Sequence, residues 1–145
     1  VKTLNQYIGQ KGASAVEFAI VLPLLVTFVF GIIEFSICFY NKAMLTNASR
    51  EGARAGIVYA FPNRLCDAEI QNVITNYLST SLITFGAVVP PAININPPGC
   101  RAGAAPGDPL IVTVDYHYDF LVLPNLIASL VGGTDLRAVT VMRME

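Results

Sequence analysis

The hydrophobic pattern divides the chain at about residue 60. Residues 18–33 contain no ionisable side chain, and residues 13–40 are interrupted only by Glu17 and Glu34. This apolar run exceeds the roughly 20 residues a helix needs to cross a bilayer. No turn cluster appears between Ala13 and Tyr59, and the alanine-rich stretch with Ala43, Ala48, Ala53 and Ala55 favours helix. The pattern predicts one long helix over 13–60, about 70 Å at about 1.5 Å per residue, with a membrane span at about 16–40. Pro23 removes a backbone donor and is expected to kink or loosen the helix. Gly31, Gly52 and Gly56 read as further weak points. Phe61-Pro62-Asn63 ends the segment.

Shorter periods follow. Asp67 reads as a helix cap, and Ile70, Val73, Ile74, Tyr77 and Leu78 recur at three- and four-residue intervals, predicting a second helix over 67–82. Residues 87–95 are rich in β-formers, but Pro90-Pro91 limits them to an edge strand. Residues 96–109 form a proline- and glycine-rich loop. Leu110, Val112, Val114, Tyr116 and Tyr118 alternate with Ile111, Thr113, Asp115, His117 and Asp119, the period of a half-buried strand. Residues 121–131 are apolar and fit either a short helix after Pro124 or a loop facing membrane or partner. Residues 137–144 alternate again, predicting a terminal strand paired with 110–119. The expected class is α+β: a long amino-terminal transmembrane helix and a small exported domain, residues 61–145, containing an antiparallel sheet.

Composition agrees with a chain that does not have water as its sole solvent. Hydrophobic residues make up 54% and charged residues 13%, against roughly 25% charged in a typical soluble domain. A net charge of -1 provides no basic field for a nucleic-acid backbone. A cleaved secretory signal has a shorter apolar region with small residues at its end, whereas this run continues into Phe35, Ile37, Phe39 and Tyr40, as a retained anchor does. Residues 1–12 form a polar, basic leader. Lys2 and Lys11 precede the span and no acidic residue does, which keeps the amino terminus cytoplasmic, although Lys42, Arg50 and Arg54 beyond the span reduce the asymmetry.

Candidate chemistry is sparse. Cys66 and Cys100 both fall in the exported part and are expected to close a loop by a disulfide, two free thiols being the alternative; Cys38 lies in the span. His117 reads as an exposed strand residue flanked by Asp115 and Asp119. Alternate side chains on one strand stand about 6.5 to 7 Å apart, an awkward spacing for a metal, so no metal site is assigned. Phosphate loops, zinc-type cysteine spacing and nucleophile elbows are absent from the sequence, and the chain reads as a non-enzyme without a cofactor. Arg50, Glu51 and Arg54 pair at helical spacings as a solvated face.

The stretch Lys11-Gly12-Ala13-Ser14-Ala15-Val16-Glu17-Phe18, followed by Leu22-Pro23-Leu24, resembles a type IV pilin-type amino terminus. Together with Gly31-Ile32-Ile33-Glu34 and Ala48-Ser49-Arg50-Glu51-Gly52-Ala53-Arg54, it resembles the TadE-like branch associated with tight-adherence pili. The resemblance covers about the first 60 residues. It implies cleavage by a prepilin peptidase between Gly12 and Ala13, and a structural role as a pilin or minor pilin inserted in the bacterial inner membrane. The implied partners are copies of itself or other pilins, a platform protein and a secretion ATPase. It also implies that the new amine of Ala13 pairs with Glu17 of a neighbouring subunit, an assembly role shared by Pro23 and Glu34. The alternative for Glu17 is a carboxylate in water at the headgroup boundary; for Glu34 it is an interfacial, snorkelling side chain. The alternative for the whole chain is a single-pass anchor that does not polymerise and whose exported domain binds another protein.

Overall fold

The computed structural model describes residues 2–58, 64–85, 89–100, 105–120 and 133–144, with side chains from residue 12 onward. Helix α1 (Lys2–Ile57) is followed by helix α2 (Asp67–Ser81) and strands β1 (Ala92–Asn96), β2 (Pro109–Tyr118) and β3 (Thr134–Arg143). The fold is α+β. Residues 121–131 and the expected helix stop at 61–63 lie outside the described residues.

At 56 residues, α1 is about 84 Å long. It begins at Lys2 and not at Ala13, running through the leader without a break. A single glycine such as Gly12 weakens a helix by only about 1 kcal/mol, too little to end one flanked by helix formers. Nor does Pro23 interrupt the helix. The ring removes the bond to the Ala19 carbonyl, but both flanking segments remain helical, and Thr27 Oγ1 donates to the Pro23 carbonyl at 2.8 Å.

The carboxy-terminal third of α1 carries the domain. Asn41, Leu45, Ala48, Ser49, Gly52, Ala53 and Gly56 recur on one helical face and are buried. Against them pack Ile70, Ile74 and Leu78 of α2 and the inner row of β2: Leu110, Val112, Val114, Tyr116 and Tyr118. The half-buried and exposed positions of β2 are the alternate residues, as the period predicts. Gly52 and Gly56 are therefore close-approach points and not weak points. A Cβ at Gly52 would lie 2.5 Å from Ile74 Cγ1, and one at Gly56 would lie 2.6 Å from both Ile70 Cδ1 and Leu110 Cδ2.

The sheet has the order β1-β2-β3 and is antiparallel throughout. β1 is the expected edge strand, starting immediately after Pro90-Pro91 because proline cannot donate to a ladder. β3 starts three residues earlier than its alternation predicts, at Thr134, and pairs with β2 in the register Val112↔Thr140 and His117↔Asp135.

Polar anchors set how the elements dock. Asn41 is fully buried; its Nδ2 donates to the Ile83 carbonyl at 2.7 Å and its Oδ1 accepts from Ile83 N at 3.0 Å, fixing the exit of α2 to α1. Ser49 Oγ lies 2.7 Å from Thr140 Oγ1 and donates to the Thr46 carbonyl, joining α1 to β3. Lys42 Nζ donates to the Arg137 carbonyl on the same strand. The N-cap of α2 is Cys66, not Asp67: Glu69 Oε2 accepts from Cys66 N at 2.8 Å, which leaves the Asp67 carboxylate to accept from Gly99 N at 2.6 Å. That second bond sits beside the Cys66–Cys100 disulfide, which closes a loop with a sequence separation of 34.

Candidate functional site

α1 is bare from residue 12 to residue 33. No side chain there is buried, and Phe18, Ile20, Phe28 and Ile32 each expose more than 60% of their surface. A surface this apolar is not stable in water without a covering phase. The segment Gly12–Ile57 is long and apolar enough to cross a membrane. Gly12, Ala13 and Glu17 all lie on the exposed helix, and a side chain at Gly12 would meet no atom within 4 Å. Nothing in the packing of the chain on itself requires glycine there.

Glu34 ends the bare stretch, and its carboxylate is not the snorkelling side chain that stood as the alternative to its assembly role. It is 2% exposed, lying under the end of β2, where Tyr118 Oη donates to its Oε1 at 3.1 Å. Tyr118 is itself buried and meets Phe120 edge-on at 5.5 Å, while Phe120 meets Phe35 of α1 at 6.5 Å. Burial, and after it the bond to Glu34, holds the Tyr118 phenol above the usual tyrosine range. Cys38, one turn on, is half-buried against the core and so belongs to the docking surface. Glu17 and Glu34 therefore have opposite surroundings: one is open, the other is covered by its own chain.

Residues 12–54 match the model of the family described as TadE-like protein. In this segment the chain is similar to TadE-like proteins. The match occupies under a third of the chain, and Gly12, Glu17, Pro23, Glu34, Gly52 and Ala53 all fall inside it. It extends past the bare stretch into the part of α1 that holds the domain, so the TadE-like segment includes both an uncovered apolar rod and a covered docking face. Comparisons with curated proteins and with solved structures give no match.

On the outer face of the sheet, register brings together side chains that the sequence reading only partly linked. His117 Nδ1 lies 2.6 Å from Asp135 Oδ1, and its Nε2 lies 3.5 Å from Asp119. The hydrogen bond to Asp135, more than the nearby charges, raises the His117 pKa above its ordinary value. Asp115, expected beside His117, instead binds Arg137, with Nε 2.6 Å from Oδ1. Asp135 was missed because the pairing register of β3 was unassigned. Arg50, Glu51 and Arg54 lie exposed on α1. Among the described residues no three His, Cys, Asp or Glu side chains are arranged to hold a metal ion.

Proposed function

We propose that this chain is a pilin-like or minor pilin subunit of a tight-adherence pilus, held in the bacterial inner membrane by the bare part of α1 and assembled through that same surface. The observation that carries the reading is the coincidence of the TadE-like match with an apolar rod, residues 12–33, that the domain leaves uncovered. A lipid bilayer covers such a rod before assembly, and the equivalent rods of other subunits cover it afterwards. On this reading a prepilin peptidase cuts after Gly12, the domain lies outside the membrane, and the nucleotide-driven work belongs to a secretion ATPase acting through a platform protein. The chain itself performs no catalysis.

The test is to recover the protein from cells in two fractions, membrane and sheared extracellular fibres, and to sequence its amino terminus in each. A fibre-associated chain beginning at Ala13 supports the proposal. A chain confined to membranes with residues 1–12 still attached overturns it in favour of a plain single-pass anchor.

A further inference from the structure

From Glu34 back to residue 12 the helix is bare; outward from Glu34 the domain is already attached. The apolar run from Ala13, just after Lys11, to Ile33 measures about 32 Å, close to the roughly 30 Å hydrocarbon thickness of a bilayer. Hence no spacer separates the end of the hydrocarbon from the start of the domain. The next seven residues, 34–40, occupy about 10 Å, comparable with the roughly 5–8 Å headgroup layer on each side. Within that band the helix exposes Phe35, Phe39 and Tyr40, at 53%, 70% and 41%.

The domain meets the band with apolar groups of its own. Phe120 lies against Phe35, and Ile83, 40% exposed, is pinned to Asn41 through its backbone. Phe120 follows Tyr118 onto the helix-facing side of the sheet, while Asp119 follows His117 onto the outer, water-facing side. The aromatic and aliphatic side chains are thus directed towards the helix foot and the carboxylate away from it.

We infer that the end of the domain formed by Phe120 and Ile83, with Phe35, Phe39 and Tyr40 of α1, is a lipid-contacting surface seated in the headgroup layer of the bilayer. The inference rests on the membrane-anchor reading proposed above. Its geometry explains why a carboxylate is tolerated at the boundary: Glu34 is sealed from lipid by Tyr118 and the domain standing on it. Tyr40, with its polar tip, is the kind of side chain that a bilayer interface favours, and Phe35, Phe39 and Phe120 add apolar area beside it.

The test uses the full chain in phosphatidylethanolamine–phosphatidylglycerol vesicles, in a Cys38→Ser background with the Cys66–Cys100 disulfide intact. Single cysteines replace Phe39, Ile83, Phe120, Val29 and Val139 in turn, each carrying a polarity-sensitive fluorophore. Phe39 is exposed and the bonds of Ile83 are made by its backbone, so these two sites report even where the change at Phe120 disturbs packing. Quenching is read from shallow lipid-borne nitroxides and from aqueous iodide. The expected result is several-fold stronger lipid quenching and weaker iodide quenching at Phe39, Ile83 and Phe120 than at Val139. Probes at those three sites that behave like Val139 while Val29 is quenched from lipid overturn the inference and leave the anchor intact. Absence of lipid quenching at Val29 overturns the anchor reading, and the inference with it.

Discussion

Tyr118 Oη donates to Glu34 Oε1 across 3.1 Å, joining two buried residues that stand 84 positions apart in the chain. This bond fixes the end of β2 to α1 at the level where the bare helix begins. Replacing Tyr118 with Phe removes the donor while keeping the ring and its edge contact with Phe120. The expected loss is about 1–3 kcal/mol of stability, the range for depriving a buried acceptor of a partner. Glu34→Gln, which keeps an acceptor oxygen, should lose less. Thermal unfolding in detergent of the two single variants and the wild type measures both, and a Tyr118→Phe protein of wild-type stability would show the bond to be energetically idle.

Glycines on α1 separate into two kinds. Gly52→Ala places a Cβ 2.5 Å from Ile74 Cγ1, and the overpacking loss of about 1–3 kcal/mol exceeds the roughly 1 kcal/mol gained in helix propensity. Gly12→Ala meets no atom within 4 Å, so it should be neutral or stabilising by up to about 1 kcal/mol. Comparing the two midpoints under one denaturant gradient gives the sign of each change, and equal shifts in the same direction would contradict the assignment.

How much of this was readable beforehand follows the range of each interaction. α2, β2 and β3 are announced by local period, since each buries one face against a single neighbour; Ile70, Ile74 and Leu78, or Leu110, Val112 and Val114, repeat at the spacing their element imposes. β1 was legible as an edge because two prolines precede it. The candidate assembly residues came from the amino-terminal motif, but the surroundings of Glu34 did not. A carboxylate in an apolar run looks the same in sequence whether lipid, water or Tyr118 covers it. Asn41 is a similar case, because its two bonds to the Ile83 backbone depend on how α2 exits. Gly52 and Gly56 read as flexibility because their contacts, Ile74, Ile70 and Leu110, lie on other elements.

The Cys66–Cys100 disulfide closes a loop with a sequence separation of 34, which by the chain-entropy relation contributes about 4 kcal/mol through the unfolded state. Replacing both cysteines with alanine should therefore lower the stability of the domain by that order. Urea unfolding of the oxidised protein and the double variant, followed by circular dichroism, measures the difference. Coincident transitions would mean that the loop is held by other contacts, such as Gly99 N to Asp67.

His117 should titrate above its ordinary pKa of about 6.5, chiefly because its ring donates to Asp135. A raised folded-state pKa means that the protonated ring favours the folded state. The contribution is fully present below the unfolded value and is lost as pH rises through the folded one. Because His117 and Asp135 are exposed, the effect on stability is small, and the direct measurement is the imidazole chemical shift against pH. Asp135→Asn should bring the midpoint down towards the ordinary value, and an unchanged midpoint would remove Asp135 as the cause.

Glu17 is the residue on which the proposed assembly depends most directly. It is exposed on the bare part of α1, five positions after Gly12, whereas Glu34 is occupied within its own chain. A carboxylate on a helix face that enters lipid is costly unless it is paired or held near water, and glutamine lowers that cost. Membrane insertion of Glu17→Gln should therefore be equal to or easier than that of the wild type. An intersubunit pair between Glu17 and the amine of Ala13 would lose its anion, and breaking a pair on one side leaves the other charge uncompensated. The expected phenotype is normal abundance in membranes with a sharp fall in sheared fibres. If Glu17 only faces water at the headgroup boundary, an amide replaces it at little cost and both fractions stay near wild type. Quantifying the variant in the two fractions of the same cells separates these outcomes, and undiminished incorporation into fibres would end the assembly role proposed for Glu17.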